Sequence, residues 1–116
     1  MTDPDCLFCK IAAKEIPSTM VYEDDELVVF MDIAPQTPVH LVLVPRAHVT
    51  GLAELTEELA PVVGRIAVVA RDLADQLGVA ESGYRLVTNN GPDAGQTVPH
   101  LHFHLLGGKP MGGRLA

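Results

Sequence analysis

Three histidines alternate with apolar residues near the end of the chain, and this run constrains the fold more than any other segment. They are His100, His102 and His104, and the residues between them are Leu101 and Phe103. Side chains two residues apart in a β-strand point to the same face, so the run predicts a strand over residues 101–106. One face of this strand is therefore expected to be lined by imidazoles, and the other by apolar side chains.

The three imidazoles in register favour a functional role. A lone histidine is more often a hydrogen-bonded core or surface residue, but imidazole can also serve as nucleophile, acid, base or ligand near neutral pH. Neighbouring members are expected about 6.6 Å apart along the strand and the outer two about 13 Å apart, so at most two could ligate one ion. The pattern therefore favours separate roles for the imidazoles over a three-histidine metal site.

The remaining hydrophobic patterns predict a single α+β domain over residues 1–116, with a five-stranded antiparallel sheet, one short helix and one long helix. The predicted elements are a helix over 6–13, strands over 20–23, 26–31, 39–44, 84–88 and 101–106, and a helix over 56–77. Thr56 is expected to cap the long helix and Gly78 to end it, with an irregular start at Pro61. A glycine-rich loop is expected over 89–98.

The charge balance argues against an extended phosphate backbone as a partner. The chain carries 8 Lys and Arg against 15 Asp and Glu, a formal net charge of −7, whereas nucleic-acid polymers are bound through many cationic contacts. A single small phosphate stays possible, because backbone N–H groups and neutral imidazoles can hold it. The apolar runs are short and the N-terminus lacks a basic region, which predicts a cytoplasmic protein with neither a signal peptide nor a membrane span.

Cys6 and Cys9 are spaced for joint use of their sulfur atoms. On a helix, residues three apart lie on the same side of one turn, so both sulfurs can reach a single zinc ion. Two other interpretations stay open: a pair of small buried apolar residues, or a redox pair.

Three segments, in this order, resemble the histidine-triad family. The run His100-Leu-His-Phe-His-Leu-Leu106 resembles its His-X-His-X-His-X-X signature, in which X is apolar. The segment 30–40, Phe-Met-Asp-Ile-Ala-Pro-Gln-Thr-Pro-Val-His, resembles its ribose-binding strand and loop, and 89–97, Asn-Asn-Gly-Pro-Asp-Ala-Gly-Gln-Thr, resembles its phosphate-side loop. The resemblance extends from Cys6 to about Met111 and is strongest to the nucleotide-binding, phosphoramidase-like branch. It implies a homodimer that pairs the long helices and extends the sheet across the interface.

The resemblance also implies a role for each catalytic residue. His102 would attack phosphorus to form a nucleotidyl-histidine, with its other ring nitrogen held by a backbone carbonyl. His104 and His40 would contact phosphate oxygens or polarise the reacting groups, and Thr97 would help protonate an amine leaving group. A turn hydroxyl that bonds its own backbone is the structural alternative for Thr97.

The nucleotide-binding residues implied by the resemblance are Phe30, Asp32, Ile33, Asn89, Gly95, Gln96 and Thr97, together with His102 and His104. Asp32 would accept both ribose hydroxyls, and a turn-capping role is its alternative. Phe30 and Ile33 would enclose the purine, although such residues in a strand are by default part of the core. Backbone N–H groups at Gly95 and Thr97, with Asn89, would hold phosphate oxygens. Discrimination between adenine and guanine is expected to be weak.

Family variants with the same cysteine pair complete a zinc site with a histidine at the position of His48 and with the first triad histidine, here His100. The resemblance therefore implies one structural zinc ion per chain on Cys6, Cys9, His48 and His100, which would tie the N-terminal helix to the sheet. No organic cofactor is expected.

The function implied is hydrolysis of purine nucleoside 5′-phosphoramidates or nucleotidyl adducts to the nucleoside monophosphate. Three alternatives stay open: a dinucleoside polyphosphate hydrolase, a non-catalytic nucleotide-binding module that regulates a partner, and a metalloenzyme that uses the triad as ligands. The chain contains no Trp and ends in a short glycine-rich tail, unlike relatives whose tryptophan-containing tail shapes the partner's site. The leaving group is therefore left open.

Overall fold

The computed structural model describes residues 2–113, so Met1 and the last three residues of the glycine-rich tail lie outside the described range. The secondary structure agrees with the predicted order of two helices and five strands. The elements are α1 (Leu7–Ala12), β1 (Met20–Glu23), β2 (Leu27–Met31), β3 (Val39–Pro45), α2 (Ala60–Gln76), β4 (Tyr84–Thr88) and β5 (Phe103–Gly107). Single 3₁₀ turns occur at Leu52–Glu54 and Pro92–Ala94.

The five strands form one sheet in the order β1-β2-β3-β5-β4, and every neighbouring pair is antiparallel. The predicted five-stranded antiparallel sheet is therefore confirmed. Strand β3 is central and almost wholly buried, which agrees with its continuous apolar sequence. Strand β4 lies at one edge of the sheet.

The two helices pack on opposite faces of the sheet. Helix α2 covers one face, where Ile66 and Leu73 contact apolar residues such as Leu43 and Leu105. Helix α1 packs on the other face, against side chains of β2 and β3 such as Val42. Neither helix within residues 2–113 is long and apolar enough to cross a membrane.

Helix α2 begins at Ala60, and the predicted start at Thr56 is therefore wrong. The hydroxyl of Thr56 accepts a hydrogen bond from the Leu59 N–H at 3.3 Å, which closes a separate turn before the helix. Pro61 follows in the first helical turn, where its missing N–H costs no intrahelical bond. At the other end Gly78 has a φ of +77°, the left-handed conformation predicted for it.

Strand β5 begins at Phe103, two residues later than predicted. The preceding residues bond to loops instead of to a neighbouring strand, since the Leu101 N–H donates to the Val49 carbonyl and the His100 N–H to the Val98 carbonyl. Only His104 of the three histidines therefore lies in the regular ladder.

Candidate active site and metal centre

Two cysteines and two histidines meet where α1 packs on the segment that precedes β5. The sulfur of Cys6 caps α1 by accepting the Cys9 N–H, which brings both sulfurs to one end of the helix. His48 comes from the loop after β3. The Nδ1 atom of His100 lies 3.2 Å from Cys6 Sγ, 3.6 Å from Cys9 Sγ and 3.2 Å from His48 Nδ1, and the Cys9 Sγ to His48 Nδ1 distance is 3.5 Å.

This donor set fits a zinc ion. With Zn–S bonds of about 2.3 Å and Zn–N bonds of about 2.0 Å, the corners of a tetrahedron lie about 3.3 to 3.8 Å apart, which is close to the separations above. The Nε2 atom of His100 lies 2.8 Å from the Pro45 carbonyl. Because a carbonyl only accepts, Nε2 carries the proton, and the Nδ1 lone pair faces the cysteines.

The protonation of His100 agrees with metal ligation, and that of Cys9 bears on the redox alternative. Burial lowers the pKa of His100 to about 4, against the opposing effect of its Pro45 hydrogen bond, so the ring is neutral near pH 7. Burial raises the pKa of the Cys9 thiol, which disfavours the exposed, reactive thiolate that a redox pair would use. The four residues therefore form a candidate zinc centre.

The backbone fixes the tautomer of His102. Its Nδ1 atom lies 2.7 Å from the His100 carbonyl, so Nδ1 carries the proton and Nε2 keeps its lone pair. The ring is buried, with its centroid 4.9 Å from that of Phe8 and 5.1 Å from that of His104. The Thr88 hydroxyl donates to the His102 carbonyl at 2.7 Å and holds the backbone of this residue.

His40 and His104 form a second, separate pair. The Gln36 N–H donates to His40 Nδ1 at 3.1 Å, so the proton of the neutral His40 ring is on Nε2. The His40 Nε2–H donates to His104 Nδ1 at 2.9 Å. His40 Nε2 also lies 3.4 Å from Asp32 Oδ2. The neutral His104 ring then carries its own proton on Nε2, as an available donor.

Both imidazoles of this pair are favoured in their neutral form. Burial lowers the pKa of His40, and Asp32 opposes that shift. Burial, followed by the neighbouring imidazoles His102 and His40, lowers the pKa of His104, again against Asp32. Because Nε2 of His40 has no lone pair to offer in this tautomer, the Asp32, His40 and His104 group is a poor metal site, although its atoms are close together.

The residues predicted to hold ribose and base occupy different environments. One carboxylate oxygen of Asp32 accepts the Ala34 N–H at 2.8 Å, which is the turn-capping role, while the other faces the imidazoles. Ile33 is 99% exposed, but Phe30 is only 5% exposed and packs in the core with its ring centroid 5.6 Å from that of Phe8. The structure therefore leaves Ile33, and little of Phe30, available to a base.

The predicted phosphate-side loop uses several of its polar groups for its own fold. The Gln96 amide accepts the Gly91 N–H at 2.8 Å and donates to the Thr50 and Val98 carbonyls. The Gly95 N–H donates to the Pro92 carbonyl at 3.0 Å. Thr97 is exposed at the end of this loop. Of the phosphate ligands predicted in this loop segment, Asn89 is the one that lines the adjacent cavity.

This cavity, of about 510 Å³, lies on the open part of the sheet face. His40, His104 and Asn89 line it together with two cationic residues, Arg85 and Lys109. The sequence analysis missed both cations. The alternation of β4 could have indicated Arg85, since residues 85, 87 and 89 share one strand face. It also missed Phe8, Thr88 and the Gln36 N–H, whose contacts with the histidines depend on the tertiary fold.

Comparisons with known proteins agree with this architecture. The model of the HIT domain matches residues 13–111. The purine nucleoside phosphoramidase of Escherichia coli K12 is 43% identical over 112 residues, which cover 97% of this chain and 94% of that protein. A 14 kDa zinc-binding protein of Brassica juncea is 47% identical over 109 residues, covering 92% of this chain and 96% of that protein.

A solved structure of similar sequence also has the same fold. A HIT family hydrolase from Clostridium thermocellum superposes with a TM-score of 0.95 at 46% identity, covering 99% of this chain and all of that one. The similarity includes both the sheet and the segments that carry the histidines. This chain belongs to the HIT domain family.

Proposed function

We propose that this chain is a nucleotide hydrolase that cleaves purine nucleoside 5′-phosphoramidates, or related nucleotidyl adducts, to the nucleoside monophosphate. The observation that carries the proposal is the His102 Nδ1 contact with the His100 carbonyl, at 2.7 Å, which leaves the Nε2 lone pair available as a nucleophile. The similarity to a purine nucleoside phosphoramidase supports the substrate class.

The reaction runs in two displacements. Nε2 of His102 forms a bond to the α-phosphorus, and the phosphorus–nitrogen bond of the substrate breaks with its electron pair on the amine nitrogen. That nitrogen takes a proton from the Thr97 hydroxyl or from Nε2–H of His104. Water then attacks phosphorus, the bond to Nε2 breaks, and the water's protons restore the donor and complete the monophosphate. The net reaction consumes one water molecule.

The surrounding groups bind and orient the nucleotide. Asp32 accepts ribose hydroxyls through the carboxylate oxygen that faces His40, while its other oxygen stays in the turn. Ile33 contacts the purine, and the buried Phe30 supports that surface from below. Asn89 and the Thr97 N–H contact phosphate oxygens, while the Gly95 and Gln96 N–H groups stay bonded within the loop. His40 holds His104 in the tautomer whose Nε2–H donates to the transferred group.

Cys6, Cys9, His48 and His100 hold one structural zinc ion in this proposal. The tetrahedral spacing of their four donor atoms supports it, as does the similarity to a zinc-binding protein. When bound, the ion cross-links α1 to the segment that carries His102. The reaction itself needs no organic cofactor.

We further propose that the chain forms one domain that acts as a cytoplasmic homodimer, pairing α2 helices and continuing the sheet through the edge strand β4. Val68 on α2 is 38% exposed and gives that face apolar surface for a partner. Two free cysteines are typical of a reducing compartment. The excess of 15 acidic over 8 basic residues favours small nucleotides over nucleic-acid polymers.

A single-turnover experiment tests the mechanism. The protein is mixed with adenosine 5′-phosphoramidate, quenched rapidly under conditions that preserve phosphorus–nitrogen bonds, and analysed by peptide mass spectrometry. We expect a mass increase equal to an adenylyl group on the peptide that contains His102, and loss of turnover in His102→Gly. Lys14→Gln, an exposed change between α1 and β1, is the matched control with normal turnover. Normal turnover in His102→Gly would remove the proposal, and turnover only of dinucleoside polyphosphates would replace the substrate class.

A further inference from the structure

The cavity beside His104 has an unusual charge for this protein. The chain carries 15 acidic and 8 basic residues, yet the cavity lining within residues 2–113 includes Arg85 and Lys109 and no carboxylate. Positive side chains around a concave surface attract anions, and low-dielectric walls strengthen that field. The cavity therefore favours a negatively charged occupant.

The strand register sets the direction of the cavity relative to the nucleophile. Val87 lies opposite His104 across the β4–β5 pair, and Arg85 lies opposite Leu106. Arg85 is thus about 7 Å further along the sheet than His104, whereas His102 precedes His104 in the chain. A phosphorus atom beside His104 would have the nucleophile on one side and the cationic residues on the other.

In-line displacement requires this arrangement. The attacking and leaving atoms lie on opposite sides of phosphorus, so the group that departs when His102 attacks extends toward the cavity. The nucleoside lies toward Asp32, which follows β2 on the other side of β3. Arg85 on β4 and Lys109 after β5 therefore lie across the sheet from the ribose site, on the side that the leaving group enters.

The segment after β5 forms one wall of this cavity. Gly108 turns the chain with a φ of +98°, and a Cβ atom there would lie 2.9 Å from Pro38 Cβ. This turn brings Lys109, Pro110 and Met111 to the cavity, and an Arg85 N–H donates to the Gly112 carbonyl at 2.9 Å. The fold therefore places Lys109 in the wall of this cavity.

We propose that this cavity selects substrates whose leaving amine carries an anionic group, either a carboxylate or a phosphonate-type group, which pairs with Lys109 in the cavity wall. This inference rests on the proposed function and names its substrate class more closely. Amino acids and peptides linked to a nucleotide through an amine would supply the carboxylate.

Matched phosphoramidates of adenosine test the preference. One carries 3-aminopropanoate as leaving group, the second its neutral amide, and the third 2-aminoethylphosphonate, so that the linker is conserved and only the terminal group changes. The measured quantity is the ratio of kcat/KM for each anionic compound to that for the neutral amide. Comparing this ratio between protein variants cancels the intrinsic reactivity of the compounds.

Lys109→Gln is the principal variant. We expect it to lower the anion-to-neutral ratio about two- to fivefold, the effect of one solvent-accessible ion pair, while Lys109→Arg retains the ratio. Added salt should lower the ratio of the wild-type protein, because it screens exposed charges. Lys14→Gln removes a cation from the exposed surface between α1 and β1 and is expected to keep the wild-type ratio.

The outcomes separate this inference from the proposed function. A larger fall for the carboxylate or for the phosphonate compound identifies which anion the cavity prefers, and either result supports the inference. An unchanged ratio in Lys109→Gln, with all three compounds still hydrolysed, overturns the inference alone. Failure to hydrolyse adenosine 5′-phosphoramidate itself overturns the proposed function.

Discussion

Replacing Phe8 tests whether α1 supports the nucleophile. The ring is 7% exposed, and its centroid lies 4.9 Å from that of His102 and 5.6 Å from that of Phe30. Removing it leaves a cavity between α1 and the sheet, since neither backbone can move without breaking its own hydrogen bonds. A Phe→Ala change in such a site costs about 3 to 5 kcal/mol of the free energy of unfolding. That is a large part of the total of about 5 to 15 kcal/mol expected for a domain.

The assay is urea unfolding with linear extrapolation, accompanied by single-turnover kinetics below the midpoint of each variant. Leu7→Ala is the matched control, because Leu7 lies in the same helical turn but is 43% exposed, so its loss costs about 1 kcal/mol. Without the Phe8 ring, His102 is positioned by fewer contacts, and we expect its adenylylation rate to fall about tenfold. Equal destabilisation by the Phe8 and Leu7 changes would refute the packing argument.

Three further predictions concern the metal centre, the imidazole pair and the backbone of the nucleophile. Cys9→Ser should reduce bound zinc, measured by elemental analysis, from one ion per chain, and unchanged zinc content would contradict the proposed ligand set. His40 and His104 should gain their protons below the ordinary pKa of 6.5, and Asp32→Asn should lower both pKa values further, because the carboxylate opposes the effect of burial; an upward shift in an NMR titration would contradict this. Thr88→Val removes the donor to the His102 carbonyl and should lower the free energy of unfolding, measured in urea, by about 1 kcal/mol. An unchanged free energy of unfolding would contradict a stabilising role of that hydrogen bond.

The sheet and helices could be predicted because their signals are local. The alternation before Leu106 and the apolar stripe of α2 each reflect which side chains must face the core, and the structure confirms both elements. Their ends could not be predicted, because they depend on competing contacts. Thr56 closes a turn of its own, and Leu101 bonds to the distant Val49 carbonyl, which no local pattern reports.

Some residues of the candidate site could also be predicted from local sequence signals, whereas others meet only through the tertiary fold. The spacing of the cysteine pair predicted that both sulfurs share one side of a helical turn. In the structure Cys6 caps α1 and Cys9 lies in it, and the pair lies beside His48 and His100 as the family resemblance implied. The cationic cavity could not be foreseen, because Arg85 and Lys109 are far apart in the chain and meet only through the β4–β5 pairing and the turn at Gly108. Predicting contacts between such distant residues requires knowledge of the strand register.

The backbone assigns the reactive groups of three of the histidines, His40, His100 and His102. A carbonyl held against Nε2 of His100 leaves Nδ1 for a metal, whereas a carbonyl held against Nδ1 of His102 leaves Nε2 for an electrophile. His40 has the opposite partner, an N–H donor at Nδ1, and so becomes a proton donor at Nε2. Three chemically identical rings thus present three different reactive groups: an Nδ1 lone pair, an Nε2 lone pair and an Nε2–H donor. A histidine moved by two residues along the segment would meet a different backbone group and would not carry its chemistry with it.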